Sequence, residues 1–225
     1  MEMRKTRKAA LFAFWGTAYF FVLHFLGTMS PRLFFSPPSV KATAVLSLAF
    51  SLAPLLFFIR FRRECGEAGP ASLKTAAAWA AGGTAAVFLL YAHNALDAFW
   101  GSFLSGFRHS PEMEHFWALI PWVSSALTLL FFVFFLSASE GETWTPLRKA
   151  RIAAVLGGTF YVILRTIFGV AFLSTRTVRL FPDVSGSLRL LSWVFLLAGF
   201  IGVEYFYLSF SRGRDLSSSE GRIIS

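Results

Sequence analysis

What this sequence lacks narrows its class before anything it contains. It has one cysteine, Cys65, in 225 residues, so no intramolecular disulfide can form and no C-x-x-C pair is available for zinc or redox chemistry. Charged residues are 15% of the chain, against about a quarter in ordinary soluble domains, and acids are scarcest: 12, against 21 lysines and arginines. Common catalytic signatures are missing too. There is no H-E-x-x-H, no G-x-S-x-G, no G-x-x-x-x-G-K-[ST] and no pair of aspartates inside an apolar run. With these signatures absent, no motif points to a disulfide-stapled secreted domain, a zinc protease, a G-x-S-x-G hydrolase or a self-contained ATPase. Any ATP-driven process would need a partner chain.

What is present is apolar. Of all residues 56% are hydrophobic, 28 are phenylalanine, and the mean hydropathy is +0.60. A hydrocarbon core about 30 Å thick takes roughly 20 apolar residues per helix, and six segments come close: 9–29, 42–60, 75–93, 116–137, 151–173 and 189–210. The expected fold is an all-α integral membrane protein with six transmembrane helices. It occupies residues 1–211 as one domain, with a polar cytoplasmic tail at 212–225 and no soluble module.

The net charge of +9 follows topology rather than forming a nucleic-acid patch. Arg4, Lys5, Arg7 and Lys8 precede the first span. Arg60, Arg62, Arg63 and Lys74 lie between spans two and three, Arg148, Lys149 and Arg151 between four and five, and Arg212, Arg214 and Arg222 after span six. The opposite side has only Arg32, Lys41, Arg108, Arg176, Arg179 and Arg189. By the positive-inside rule both termini are cytoplasmic, and the short loops suit a bacterial inner membrane. The first apolar segment exceeds the about 7–15 residues of a cleaved signal core, and no A-x-A pattern precedes Ser30-Pro31, so it is read as an uncleaved helix.

Between spans three and four the large apolar residues Leu96, Phe99, Trp100, Phe103, Leu104 and Phe107 recur on one helical face. With Asn94 as cap, Asp97 in the first turn, and Gly106 and Pro111 as stops, they predict a separate amphipathic helix roofing the outer mouth. Pro54 is expected to kink span two unless a neighbour satisfies the freed carbonyl. Ser110 and Pro111 predict the start of span four. Small residues at Ala77, Ala81 and Ala85, or Ala78, Gly82 and Ala86, and again at Ala150, Ala154 and Gly158, predict close helix packing. A three-hairpin internal repeat is suggested by Gly16-Thr17, Gly83-Thr84 and Gly158-Thr159, and by the LLFF shared at Leu55–Phe58 and Leu129–Phe132. Odd-numbered helices would then pack tightly on the cytoplasmic side and splay outside.

The candidate site follows from that splay: an outward-facing pocket bordered by His24, Tyr91, His93, Arg165 and Thr166, with Trp100 helping to close it. Arg165 is the most informative residue, because a mid-membrane charge costs at least about 2.5 kcal/mol and needs a partner or water. Its planar fork suits a carboxylate or phosphate. Glu204 is the candidate intramembrane charge partner, or a proton-coupling group. His24 and His93 could alternatively ligate a b-type haem, and His109, Glu112, Glu114 and His115 could supply zinc ligands, although their spacing does not converge on one point. Ser124 and Ser125 near His115 are the only nucleophile candidates for an intramembrane enzyme. The leading expectation is a protein that binds or transports a small, anionic solute, holds no cofactor or metal, and works with membrane lipid and an energising or partner membrane subunit. The alternatives are a non-catalytic docking subunit, a haem-binding subunit and an intramembrane enzyme.

Overall fold

In the computed structural model the described residues are 4–29, 37–65, 70–100, 111–138, 147–173 and 182–212. They form six helices: α1 (Arg4–Met29), α2 (Pro37–Glu64), α3 (Ala71–Trp100), α4 (Pro111–Ser137), α5 (Arg148–Leu173) and α6 (Pro182–Arg212). All six are long and apolar enough to cross a membrane, which makes this a multi-pass membrane protein. Three begin at proline, where the missing N–H costs no hydrogen bond and the fixed φ is already helical. The start of α4 at Pro111 is the one expected from sequence.

Each helix packs against the next in sequence, and α6 packs back on α1, so the six close into a ring. Neighbours run antiparallel. The start of α1 meets the end of α2, where Glu64 accepts hydrogen bonds from the Thr6 amide (2.9 Å) and hydroxyl (2.7 Å). Further along the same pair, the Tyr19 hydroxyl lies 3.2 Å from the Ser47 hydroxyl. Glu64 thereby satisfies an orphan N–H at the positive end of α1. Outside the ring, large apolar side chains such as Trp15, Trp79, Leu89, Leu156 and Ile201 are exposed, as a lipid-facing surface requires.

Small residues set how closely neighbours approach. A Cβ on Gly202 would collide with the Ala153 carbonyl, and one on Gly157 would come within 2.7 Å of the Gly199 carbonyl, so α5 and α6 touch backbone to backbone. The packed face of α3 shares only Ala77 with the two expected small-residue faces; Ala81 and Ala85 are half-buried. Ala76, Ala77, Ala80 and Gly83 are buried, whereas Gly82 is exposed with nothing beside it.

At the end bearing the helix α1 start and α6 end, the ring is filled by aromatics. Phe57, Phe58 and Phe61 of α2, Phe131, Phe132 and Phe135 of α4, and Phe206, Tyr207 and Phe210 of α6 are all buried. Even-numbered helices, which are not ring neighbours, meet here across the axis: Phe58 and Phe131 lie 5.0 Å apart, and Phe57 and Tyr207 5.1 Å, both edge-to-face. The three helices use one pattern, F-[F/Y]-x-x-F, which places its rings on one helical face.

One expectation fails. α3 runs unbroken through Asn94 to Trp100, so no separate helix begins at Leu96. The segment from Asn94 to Trp100 holds neither glycine nor proline, and Ala95 and Ala98 favour continuation. The remainder of the expected amphipathic helix, 101–107, lies outside the described residues, as do the links at 30–36 and 174–181 and the tail beyond 212.

Candidate functional site

The ring encloses a cavity of about 860 Å³, walled by residues of all six helices and floored by Phe58 and Tyr207 of the aromatic cluster. Its size is that of a site for a small organic molecule. The wall mixes apolar and polar side chains along the ring axis. Toward the floor it carries hydroxyls from four successive helices: Thr17, Ser51, Thr84, and Ser124, Ser125 and Thr128 of α4. Farther from the floor it is lined by Phe20, Leu23, Val87 and Leu90 together with Ser47 and Tyr161; the Tyr91 ring stacks on that of Phe20 with centroids 5.0 Å apart, and His24 and Arg165 line the same region. Asn94 and Asp97 line it nearer the rim.

Of the residues expected to border a pocket, the structure brings together His24, Tyr91 and Arg165. The Arg165 charge acts electrostatically on His24, Tyr91 and Tyr161, so these groups form one corner. His93 and Thr166 are not among the lining residues; Thr166 instead accepts a hydrogen bond from Trp122 Nε1 at 2.9 Å, joining α5 to α4. Trp100, 69% exposed at the end of α3, does not cover the cavity. The reason is helical phase: at about 100° per residue His93 points about 160° away from Tyr91, and Trp100 about 180° away.

Glu204 is buried between α6 and α1, where its Oε1 accepts a hydrogen bond from the Thr17 hydroxyl. Its Oε2 is buried with no hydrogen-bond partner. Among the described residues it forms no ion pair with Arg165; Thr17 of the adjacent helix holds it instead. Thr17 was not singled out by sequence reasoning, although the Gly16-Thr17 pair was noticed.

Sequence reasoning singled out Ser124 and Ser125 as nucleophile candidates but none of these hydroxyls as a cavity-lining group, because single serines and threonines in apolar helices usually bond their own backbone. They do so here. Ser51 donates to the Leu48 carbonyl at 2.8 Å, Thr84 to that of Ala80 at 2.9 Å, and Ser125 to that of Pro121 at 2.8 Å. The signal that could have found them is their common depth on four helices.

Among the described residues, no group of three or more His, Cys, Asp or Glu side chains could hold a metal ion. The His109–His115 cluster considered for zinc has its side chains outside the described residues, so His115 is not placed beside Ser124 or Ser125. His24 lines the cavity while His93 does not, so they do not face one space. Cys65, just beyond the end of α2, is buried; burial pushes its thiol above the usual range, and nearby Lys74 partly offsets this. The chain matches no protein-family model, and no curated protein or solved structure matches it significantly.

Proposed function

We propose that this protein binds, and moves across or delivers at the membrane, a small organic anion taken up in the central cavity. The observation that carries the reading is the cavity of about 860 Å³, walled by six helices, stopped by an aromatic floor and holding Arg165 in its wall. A guanidinium at that depth is costly unless it meets an anion or water. Asp97 is six residues beyond Tyr91, about 9 Å nearer the rim at 1.5 Å per residue, which leaves Arg165 as the deeper fixed charge. The bias of basic residues toward the end with the floor supports a cavity that opens outward, with both termini in the cytoplasm of a bacterial cell. The recurring F-[F/Y]-x-x-F on α2, α4 and α6 supports a chain built of three related hairpins. With no nucleotide-binding motif, active uptake would draw on an energising partner subunit.

A cysteine-accessibility scan in a Cys65→Ser background tests this. Cysteines at His24, Tyr91 and Arg165 should react with a membrane-impermeant reagent added from the side opposite the termini. Cysteines at the exposed, outward-facing Val22, Leu89 and Ile163 should not. Equal reactivity of the two sets overturns the cavity reading.

A further inference from the structure

Glu204 stands where the other even-numbered helices carry leucine. Their aromatic pattern begins at Phe57, Phe131 and Phe206, and the residue two positions earlier is Leu55 on α2, Leu129 on α4 and Glu204 on α6. Leu129 covers Gly158 of the next helix around the ring, where a Cβ would come within 3.1 Å of its Cδ1. Glu204 likewise meets the next helix around the ring, at Thr17 of α1. Packing alone fills this position with leucine, so the carboxyl group needs another reason to be there.

Nothing around Glu204 balances a negative charge. Its Oε2 is buried with no hydrogen-bond partner, and its Oε1 meets only the Thr17 hydroxyl. The titratable groups on the helices packed against it are Lys8 and His24 on α1 and Arg151, Tyr161 and Arg165 on α5, with Tyr207 on its own helix. Among the described residues Glu204 pairs with none of the cations; its charge reaches Tyr161 and Tyr207, which do not neutralise it. An ionised carboxylate here would be a buried, unpaired charge, whereas a neutral acid needs one acceptor for its O–H and leaves only a carbonyl oxygen unpaired. Thr17 can serve both forms. Its hydroxyl has a single proton: turned toward Oε1 it donates to a carboxylate, and turned toward the Ala13 carbonyl 2.9 Å away it accepts the proton of an acid.

Thr17 also lines the cavity, whereas Glu204 lies behind the wall. The hydroxyl therefore stands between the cavity and the carboxyl group. On uptake, its oxygen takes a proton from water in the cavity as its own passes to Oε1; on release the two transfers run in reverse, and Thr17 ends each time as a neutral hydroxyl. We propose that Glu204 is a proton-binding site of the cavity, occupied in the structure as it stands and exchanging with cavity water through Thr17. The proton is then a second ligand of the cavity, bound apart from any solute held at Arg165.

Infrared spectroscopy of the full chain in liposomes tests this, with wild type compared against Glu204→Gln, or against Glu204→Leu if the glutamine variant misfolds. At neutral pH the wild type should show a carboxylic-acid carbonyl band that the variant lacks. Raising the pH should replace that band with carboxylate bands, and transfer to heavy water should shift it. Thr17→Val should keep the acid band but lose the heavy-water shift on the timescale on which the wild type completes it, and Thr17→Ser should keep both. Absence of the acid band from the wild type at neutral pH would mean an ionised Glu204 and would overturn the proposal. A band that neither titrates nor exchanges would overturn it as well, by making Glu204 a fixed structural acid. Exchange in Thr17→Val as fast as in wild type would remove Thr17 as the route. Every readout is taken without an anion and with Arg165 intact, so failure here leaves the anion-binding reading to be decided by the accessibility scan.

Discussion

Gly16 of α1 lies against the backbone carbonyl of Phe50 in α2: a Cβ at Gly16 would stand 2.8 Å from that oxygen and 2.7 Å from the Ala53 Cβ. Phe50 is four residues before Pro54, so its carbonyl is the one that proline leaves without an N–H. The two helices thus close over the interruption, and only a hydrogen side chain fits there. Gly16→Ala forces them apart and should cost about 1–3 kcal/mol by overpacking. Thermal unfolding of the detergent-purified protein measures it. Pro54→Ala, which returns the missing donor to Phe50 without entering the contact, should be milder; the reverse order would show that the close approach at Gly16 is not what holds α1 to α2.

Thr17→Val removes the only hydrogen-bond partner that a buried carboxyl group has among the described residues and leaves the rest of α1 nearly unchanged in shape. Leaving Glu204 without a partner should cost about 1–3 kcal/mol, whereas replacing both groups by apolar ones, Thr17→Val with Glu204→Leu, should recover much of that loss. A double-mutant cycle on unfolding midpoints reads the coupling. Additive effects would mean that the contact contributes nothing to stability.

The helices were legible because lipid imposes a strong, simple pattern: uninterrupted apolar runs with basic residues at one set of ends. Arg165 was legible because a charge in such a run stands out. What failed did so for a geometric reason. His93 and Trp100 are near Tyr91 in sequence, yet helical phase puts them on the far side of α3. The polar residue Asn94 looked like a helix cap but is an interior residue lining the cavity. Thr17, Ser51 and Thr84 gain meaning only when the ring sets them at one depth, and depth depends on where each helix starts. The aromatic pattern was partly visible in Leu55–Phe58 and Leu129–Phe132, whose phenylalanines meet at the axis, but its third copy, at Phe206, Tyr207 and Phe210, shares no LLFF and went unseen.

Cys65 gives a pH-dependent test of the packing at the closed end. Burial favours the neutral thiol, so its titration is displaced above that of a free cysteine, about 8.5. The sign for stability follows. The unfolded chain loses the proton first, so the contribution is complete below the unfolded pKa and is lost as pH rises through the folded one. Alkylation of the native protein should therefore rise at higher pH than alkylation of the same protein unfolded in detergent. Coincident profiles would place Cys65 in water rather than among its buried neighbours.

Phe57 makes the closed end closed. It is fully buried and meets Phe58 and Phe61 on its own helix, Phe131 across the axis, and Phe206, Tyr207 and Phe210 on α6, with ring centroids 5.1–6.3 Å away. Truncation to alanine should cost about 3–5 kcal/mol, since such a crowded site cannot collapse fully around the space left. It should also open a path from the cavity floor toward the chain ends. A cysteine placed at the neighbouring floor residue Phe58, in a Cys65→Ser background, checks this in inside-out vesicles. An impermeant reagent supplied from the side of the termini should leave it unlabelled when Phe57 is intact and label it in the Phe57→Ala variant. Labelling with Phe57 present would mean that the aromatic cluster does not seal the ring, and that the cavity reaches both faces of the membrane.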